Sequence, residues 1–500
     1  MGRVGGRSVG GASRPWDLLV VGGGTAGIVG ARTAAVLGAR VLLVERDRTG
    51  GECLWTGCVP SKALLASASA AASARRAGRL GVHAGPVYVL FPEVMDHVRA
   101  AVRTIAPVDS AEALARAGVR VVHASVRFTG PGSALVGPEE VAFSQALVAT
   151  GSTPVLPDLA GSGAPVLTSD TVSDLRELPE RLVVLGGGGI GCELSQAFAR
   201  LGSRVVLVHR GARLLAREDA DAVALVARAL VVDGVEVLTG RRAVALAAST
   251  VTLDDGTRRE ADAVLAAIGR RPLTGELGPA AAGVDVDERG QVVVDECLRT
   301  SNHRVWAAGD VTARSRHTHT AGVHASAAAT NAVLGTRRRV PAATPRVTFT
   351  DPELAAVDLG PGSPAASAGR RVRTVEHAEV DRAVVEGATA GFTRLVSDRR
   401  GHLVAATVVG PRAGEVLAEL SLAVSRRLRL RDLAATTHAY PTYADATWSV
   451  AVADVRAGLS APGARAVVGA LVVLRRMWWA RARPHAASRS APTTGRSGRL

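Results

Sequence analysis

Two cysteines five positions apart are the residues of this sequence best suited to chemistry. Cys53 and Cys58 lie in the segment GGECLWTGCVPSK, which ends at Lys62. A C-x4-C spacing could bind a metal ion, but no second Cys/His cluster completes four ligands, and we expect no metal site. A structural disulfide fits poorly with the cytoplasmic location that we expect. A reversible dithiol near the start of a helix, which favours the thiolate, is the better interpretation.

The residue four positions after the second cysteine is unusual in this composition. The sequence contains 60 lysines and arginines, and Lys62 is its single lysine. Arginine carries a planar guanidinium fork, whereas lysine carries a compact ammonium group. We therefore expect that a site close to Cys58 uses the ammonium group.

Two glycine-rich segments share one pattern, in which a short apolar strand, a glycine turn, a helix and a second strand follow one another. The first glycine permits a tight turn, the next lets the backbone approach a pyrophosphate at the helix N-terminus, and the last allows close packing of helix on strand. These glycines are Gly22, Gly24 and Gly27 in the first copy and Gly186, Gly188 and Gly191 in the second. The pattern predicts two βαβ units that each bind a dinucleotide.

The residues that end the second strand of each unit differ in charge. Glu45 can accept hydrogen bonds from an unphosphorylated ribose, such as that of FAD. In the second unit His209 and Arg210 take its place, with Arg213 and Arg217 close by, and cations suit a 2′-phosphate. We therefore expect FAD in the first unit and NADPH in the second. NADH is the alternative if these arginines are only solvated surface residues.

The pattern of the whole chain predicts an α/β protein with two Rossmann-like dinucleotide-binding domains and a C-terminal α+β dimerisation domain. The predicted domains are an FAD-binding domain that begins with 16–150, an NAD(P)H-binding domain at 151–263 and an interface domain at 343–457. The flanking segments are a disordered leader at 1–15 and a basic tail at 458–500.

The composition limits the classes of partner. A formal net charge of +15 could suit nucleic acid, but the arginines are dispersed and no basic run alternates with aromatic residues, so we expect no nucleic-acid binding. No apolar run approaches the ~20 residues of a membrane-spanning helix. The apolar stretch 467–474, followed by Arg475, Arg476, Trp478 and Trp479, is expected to form a short helix packed on a dimer. Contact of this tail with a membrane surface is the less favoured alternative.

Several separate motifs resemble those of the class I pyridine-nucleotide-disulfide oxidoreductases, over roughly residues 16–454. Besides the dithiol and glycine segments, they are ATG at 149–151, AIGRRP at 267–272 and VWAAGD at 305–310, in the order of the family. The resemblance implies FAD, NAD(P)H and a homodimer. It also implies that the chain returns to the FAD-binding domain at 264–335. It also implies further cofactor-binding residues, namely Gly51, Thr150, Gly151, Gly269, Arg270, Gly309 and Asp310.

The resemblance also implies roles for the dithiol segment. Cys53 would be the interchange thiol and Cys58 the charge-transfer thiol beside the flavin, while Lys62 and Glu193 would form an ion pair next to flavin N5. NADPH would reduce the flavin, the flavin would open the Cys53–Cys58 disulfide, and Cys53 would attack or bind the oxidant. The protein would mainly hold nicotinamide, flavin and disulfide in one stack.

The segment HAYPTYAD departs from the disulfide reductases of the family. These carry His-Pro-Thr and a following glutamate, and the partner subunit uses the His/Glu pair for acid–base chemistry. Here Tyr440 takes the place of the histidine and Asp445 that of the glutamate. A phenol with an ordinary pKa of about 10 is a poor proton carrier at neutral pH, so efficient reduction of lipoamide or glutathione disulfide is not expected. His438 could substitute, but a structural role is the better interpretation.

Mercuric reductases also place tyrosine at this position, so the chain resembles that branch most. It lacks the C-terminal vicinal cysteine pair with which they pass the metal ion to the active site. We therefore expect an FAD-dependent NAD(P)H oxidoreductase that uses Cys53 and Cys58 and reduces a small molecule or a metal ion such as Hg(II). The alternatives are a dihydrolipoamide dehydrogenase-like component and a membrane-associated flavoprotein that reduces quinones or electrophiles.

Overall fold

The structure is a computed structural model of the 500-residue chain, and it describes residues 14–314, 316–359 and 369–482. All but the last two residues of the expected leader at 1–15 lie outside these ranges, as do residues 483–500 of the expected tail.

The first glycine motif belongs to a seven-stranded sheet. Its parallel strands are runs of buried Val and Leu, because one face packs on helices and the other on strands and turns of the same domain. The strand order is Val119–His123, Val41–Glu45, Trp16–Val21, Glu139–Val148, Ser133–Val136 and Val126–Gly130, with Val305–Ala307 also paired to Glu139–Val148. The helices of this domain are Thr25–Val36, Gly51–Trp55, Cys58–Arg76, Phe91–Ile105, Ala111–Arg116 and Thr318–Leu334.

The second glycine motif belongs to a parallel five-stranded sheet. Its strand order is Glu236–Thr239, Arg204–His209, Arg181–Leu185, Ala263–Ala266 and Val166–Thr168. The helices Gly189–Leu201 and Ala220–Val232 and an antiparallel sheet of Ala243–Ala247, Thr250–Leu253 and Arg258–Glu260 complete the domain. The chain returns to the FAD-binding domain after 263–266, later than the boundary at 264 predicted from the sequence, because the buried Val264 and Leu265 complete this sheet. The strand Ser152–Pro154, where the chain leaves the FAD-binding domain, pairs with the strand Arg270–Pro272, where the chain returns to it.

The C-terminal domain is an antiparallel sheet with helices on one side. The strand order is Thr344–Thr348, Glu353–Asp358, Leu403–Gly410, Phe392–Ser397 and Arg371–Glu376. The helices are Asp381–Glu386, Ala413–Ser425, Leu430–Ala434 and Asp445–Leu459, followed by Pro462–Ala482. The expected tail is therefore helical as far as residue 482, because its Ala, Val, Leu and Arg residues have high or acceptable helix propensity.

Helix lengths and hydropathy give one further finding. Within the described ranges, no single helix is long and apolar enough to cross a membrane. The helices Asp445–Leu459 and Pro462–Arg481 meet that test of length and composition only as a pair, which is bent by 80°.

Candidate active site

One cavity, of about 850 Å³, contains most of the residues that the sequence singles out. It lies where the two dinucleotide-binding domains and the C-terminal domain meet, and all three contribute to its wall. The predicted site residues on its wall are Gly22, Gly24, Glu45, Gly51, Cys53, Cys58, Lys62, Thr150, Gly151, Glu193, Arg270, Gly309 and Asp310. Residues distant in sequence thus converge on the dithiol.

The dithiol segment turns at Gly57 and enters a long helix at Cys58. Cys58 therefore lies at the N-terminus of this helix, in agreement with a dithiol near the start of a helix. Both cysteines are free thiols in this structure. The Sγ atom of Cys58 lies 3.2 Å from Thr318 Oγ1.

The two thiols differ in proton affinity. A hydrogen bond from Cys53, another from Thr318 and the nearby charge of Lys62 lower the pKa of Cys58 to about 6. The same hydrogen bond to Cys58, together with burial, raises the pKa of Cys53 above its ordinary value. At neutral pH Cys58 is therefore a thiolate and Cys53 keeps its proton.

An ion pair stands beside the dithiol. Lys62 lies one helical turn after Cys58 on the same face, and its Nζ atom is 2.9 Å from Glu193 Oε2. The other oxygen of Glu193 accepts a hydrogen bond of 2.9 Å from the backbone amide of Phe349, whose ring centroid is 4.5 Å from Lys62 Nζ. The pair implied by the resemblance therefore forms, and it connects all three domains at the cavity wall.

A second charged cluster lies on the cavity wall around Arg270. Its guanidinium contacts Glu52 at 2.6 Å and Asp170 at 3.3 Å, and its Nε atom donates to Ser152 Oγ at 2.9 Å. The Ser152 hydroxyl in turn donates to Asp310 Oδ2 at 2.8 Å. Arg270 thus contacts two carboxylates directly and a third through Ser152. Burial raises the pKa of Glu52 to about 7 even though Arg270 acts to lower it.

The glycines of both motifs divide into two kinds. A Cβ atom on Gly186, whose φ is +115°, would lie 2.2 Å from the carbonyl oxygen of Ala267, and one on Gly191 would lie 1.8 Å from that of Gly186. A Cβ atom on Gly188 would meet nothing within 4 Å. In the first motif, a Cβ atom on Gly22, Gly27 or Gly24 would lie 2.4, 1.8 or 3.9 Å, respectively, from the nearest heavy atom. The open middle glycine leaves space for a ligand at the helix N-terminus.

The cavity fits the dinucleotide that the first motif predicts. Thr150 Oγ1 is buried in its wall without a hydrogen-bond partner, and Gly24 leaves the helix N-terminus accessible. A buried hydroxyl of this kind normally has a partner, which FAD would supply. Arg270 and Asp310 lie on the same wall.

The strand-end residues Glu45 and His209 hold equivalent positions. Glu45 Oε2 accepts a hydrogen bond of 2.5 Å from the amide of Gly23, and His209 Nδ1 accepts one of 3.1 Å from the amide of Gly187. Burial lowers the pKa of His209 below its ordinary value, whereas Arg210 is exposed. The expectation that His209 and Arg210 favour a 2′-phosphate stays a prediction.

Two predicted catalytic residues lie apart from the cavity of their own subunit. Tyr440 is 68% exposed, and its hydroxyl donates a hydrogen bond of 2.5 Å to Asp381 Oδ2. This bond and the charge of Asp381 raise the pKa of Tyr440 above its ordinary value. Asp445 begins the helix Asp445–Leu459 and is likewise absent from the cavity wall.

His438 makes its contacts within its own subunit. Its Nε2 atom is 3.0 Å from Glu419 Oε1 and its Nδ1 atom is 3.0 Å from the carbonyl oxygen of Thr436. Only 6% of its side chain is exposed. Both ring nitrogens are thus occupied, which supports the structural role predicted for this histidine.

Sequence reasoning missed several cavity residues. Thr318 contacts Cys58 because a helix begins there, and the Ala-rich segment after residue 317 was the available signal. Glu52 directly precedes the first cysteine, and its chemistry depends on burial rather than on a motif. Phe349 and His317 also line the cavity, and burial lowers the pKa of His317 to about 4.

Comparison with protein-family models gives two matches. Residues 16–325 match the model described as pyridine nucleotide-disulphide oxidoreductase. Residues 344–451 match the dimerisation domain of the same group, which supports a homodimer.

Curated proteins and solved structures agree with these matches. The chain is similar to a mercuric reductase of Streptomyces lividans, with 38% identity over 86% of this chain and 94% of that protein. It is also similar to a dihydrolipoyl dehydrogenase of Haloferax volcanii, with 33% identity over 87% of this chain and 95% of that protein. The Cu(II) complex of the HOCl-induced flavoprotein disulfide reductase RclA from Escherichia coli has a TM-score of 0.77 and 26% identity, over 87% of this chain and 99% of that chain.

Proposed function

Because this chain belongs to the pyridine nucleotide-disulphide oxidoreductase family and is an FAD-dependent enzyme of that family, we propose that it reduces a thiophilic metal ion such as Hg(II). The ion would be held by Cys53 and Cys58, with NADPH as the electron donor. The observation that carries this proposal is the hydrogen bond from the Tyr440 hydroxyl to Asp381, which keeps the phenol protonated where disulfide reductases of the family use a histidine.

Disulfides and metal ions differ, as electron acceptors, in their need for acid–base catalysis. When a disulfide substrate is opened, a departing thiolate must receive a proton. Tyr440 has a raised pKa, and His317 in the cavity has a pKa of about 4, so neither carries a proton to and from sulfur well at neutral pH. Glu52, whose pKa is about 7, is held by Arg270 at 2.6 Å. Reduction of a metal ion bound by thiolates requires no such proton. One NADPH supplies two electrons, so Hg(II) becomes Hg(0), and NADP⁺ and one proton are released.

The residues of the chain divide the remaining work. When bound, FAD supplies the two-electron connection between NADPH and the dithiol. Cys58, as the thiolate, offers the first sulfur ligand to a soft metal ion. Cys53 keeps its proton until the metal ion displaces it. Lys62 places positive charge next to the thiolate and is held there by Glu193.

We propose NADPH rather than NADH as the donor. Arg210, Arg213 and Arg217 follow the strand that ends at His209, and all three are exposed. Guanidinium groups bind phosphate with paired hydrogen bonds, and a 2′-phosphate is what distinguishes NADPH from NADH.

A screen of electron acceptors tests the proposed function. The FAD-loaded enzyme is assayed for NADPH oxidation with Hg(II), Cu(II), a quinone, lipoamide and glutathione disulfide. We expect the metal ions to be reduced at least tenfold faster than either disulfide, because general acid–base catalysis is worth about 10²–10⁴-fold.

Cysteine variants provide the controls for this screen. Cys53→Ser and Cys58→Ser should abolish metal-ion reduction, whereas Cys297→Ser, which changes a cysteine away from the cavity, should keep it. Quinone reduction should persist in all three variants, since a reduced flavin needs no thiol for it. Faster turnover of lipoamide than of metal ions would refute the proposal.

A further inference from the structure

The helix Pro462–Ala482 lies beyond the residues that the family models match. The dimerisation model ends at residue 451, and the helix Asp445–Leu459 completes that domain. After a break the chain turns by 80° and continues as a helix of 21 residues. Nearly all of its described side chains are exposed, so the helix is not part of the core of its own subunit.

The apolar side chains of this helix point in several directions. At 100° per residue, Val467, Leu471 and Trp478 lie on one side, and Val468, Val472 and Trp479 lie about 100° away. Leu471 is 59% exposed and Trp479 is 62% exposed. An exposed apolar surface of this size marks a site of contact with another molecule or with a membrane.

The charges near this helix have one sign. Asp454 is the last acidic residue of the sequence. It is followed by Arg456, Arg465, Arg475, Arg476, Arg481, Arg483, Arg489, Arg496 and Arg499. The guanidinium of Arg475 lies over the rings of Trp478 and Trp479, at 4.5 and 5.6 Å from their centroids.

We propose that the helix Pro462–Ala482 docks the enzyme on the surface of a membrane that contains anionic lipid. Arginines without neighbouring carboxylates match anionic headgroups, and tryptophan prefers the level of the headgroups. The uncharged residues 466–474 rise only ~13 Å, less than half of the ~30 Å hydrocarbon core, so the helix lies in the interface and does not span. Packing on the dimer would bring two basic tails together, whereas anionic headgroups attract them, which is why the membrane is preferred over the dimer as the occupant.

Vesicle sedimentation with the full-length, FAD-loaded dimer tests the proposal without any measurement of turnover. The protein should sediment with vesicles of phosphatidylcholine and phosphatidylglycerol, but not with vesicles of phosphatidylcholine alone. Added salt should release it, because screening weakens the attraction of arginines to the surface.

Paired variants separate the helix from the total charge. Arg475→Glu with Arg476→Glu should weaken binding about 30-fold or more, and Trp478→Ala with Trp479→Ala about tenfold or more. Arg399→Glu with Arg400→Glu makes the same change of charge at an exposed site of the C-terminal domain and should leave binding unchanged. An unchanged flavin spectrum shows that each variant is folded.

Three outcomes would overturn the proposal. The first is absence of binding to both kinds of vesicle, and the second is an equal loss in the Arg399/Arg400 control. The third is dissociation of the dimer in the Trp478/Trp479 variant, measured by sedimentation velocity, which would assign the helix to a second copy of the chain.

Discussion

Glu52 shows how burial gives an ordinary carboxyl group an unusual role. It shares the Arg270 guanidinium with Asp170, and the carboxylate of Asp310 lies nearby. One positive charge cannot neutralise three negative charges in a partly closed cavity, so one of these groups retains a proton near neutral pH. Burial is the largest cause of the raised pKa of Glu52, which identifies it as that group.

Replacement of Glu52 by glutamine should remove a pH dependence of FAD binding. Below its pKa of about 7 the Glu52 carboxyl is neutral, and above it the carboxylate adds negative charge to a cavity that must accept a pyrophosphate. FAD should therefore bind more weakly as pH rises from about 6 to about 9. If the bound pyrophosphate raises the pKa of Glu52 by one unit, the affinity for FAD should fall about tenfold over this range. Quenching of flavin fluorescence on addition of FAD to the apoprotein measures the affinity.

In Glu52→Gln the affinity for FAD should be nearly independent of pH over the same range. Asp170→Asn is the matched control, since it also removes one carboxylate from the Arg270 cluster but leaves Glu52 in place. The Glu52 explanation fails if the glutamine variant keeps the full pH dependence.

At the scale of secondary-structure elements, each glycine motif combines close packing and open space for a ligand within six residues. In the second motif the helix Gly189–Leu201 lies so close to the preceding turn that a Cβ atom on Gly191 would overlap the carbonyl oxygen of Gly186. Gly188, three residues earlier, has an ordinary φ of −82° and free space in front of it. The same residue type therefore serves two different purposes.

Alanine substitutions should separate these purposes. Gly191→Ala places a methyl group 1.8 Å from a backbone oxygen, so the helix must move, and the free energy of unfolding should fall by about 1–3 kcal/mol. Gly188→Ala should leave thermal stability unchanged but raise KM for NADPH by about tenfold or more, because the methyl group occupies the approach of the pyrophosphate.

Thermal unfolding of both variants and initial-rate kinetics of NADPH oxidation check this pair. Equal losses of stability in Gly188→Ala and Gly191→Ala would contradict the division of roles. An unchanged KM for NADPH in Gly188→Ala would show that the dinucleotide does not approach this glycine.

At the scale of the whole molecule, three domains line the cavity, but two of the expected catalytic residues, Tyr440 and Asp445, do not. Lys62, Glu193 and Phe349 come from different domains and meet beside Cys58. Tyr440 and Asp445 stay at the exposed side of the C-terminal domain. The dimerisation domain supports a homodimer, and we predict that this segment reaches the cysteines of the partner subunit.

Replacement of Tyr440 by histidine should make the enzyme better at reducing disulfides. Tyr440→His supplies a group with an ordinary pKa near ~6.5, and kcat/KM for lipoamide should rise about 10- to 100-fold, a part of what acid–base catalysis provides. Tyr440→Phe, which also loses the hydrogen bond to Asp381, should show no such gain.

An aromatic disulfide with an acidic leaving thiol is the control substrate for this experiment. 5,5′-Dithiobis(2-nitrobenzoate) needs no proton for its departing thiolate, so its reduction should be similar in the native enzyme and in both variants. If Tyr440→His leaves lipoamide turnover unchanged while the control substrate is still reduced, the missing histidine is not what limits disulfide reduction.

Local patterns were sufficient for much of this site. Glycine spacing after short apolar strands predicted both dinucleotide motifs, because turn, helix and strand within one βαβ unit depend on neighbours in sequence. The dithiol segment and its single lysine indicated redox chemistry for similar reasons. Resemblance over many motifs then placed Glu193 opposite Lys62, and the structure brings the two within 2.9 Å.

Proton affinities and contacts between domains were decided only when the chain folded. The pKa of Cys58 is lowered first by its neighbour Cys53 and also by Thr318, which is distant in sequence. The raised pKa of Glu52 and the lowered pKa of His209 depend on burial. Spacing in a sequence carries no information about burial or about a partner far away along the chain. The exposure of the helix Pro462–Ala482 is likewise a property of how the domains pack, since the same apolar residues could equally have been buried.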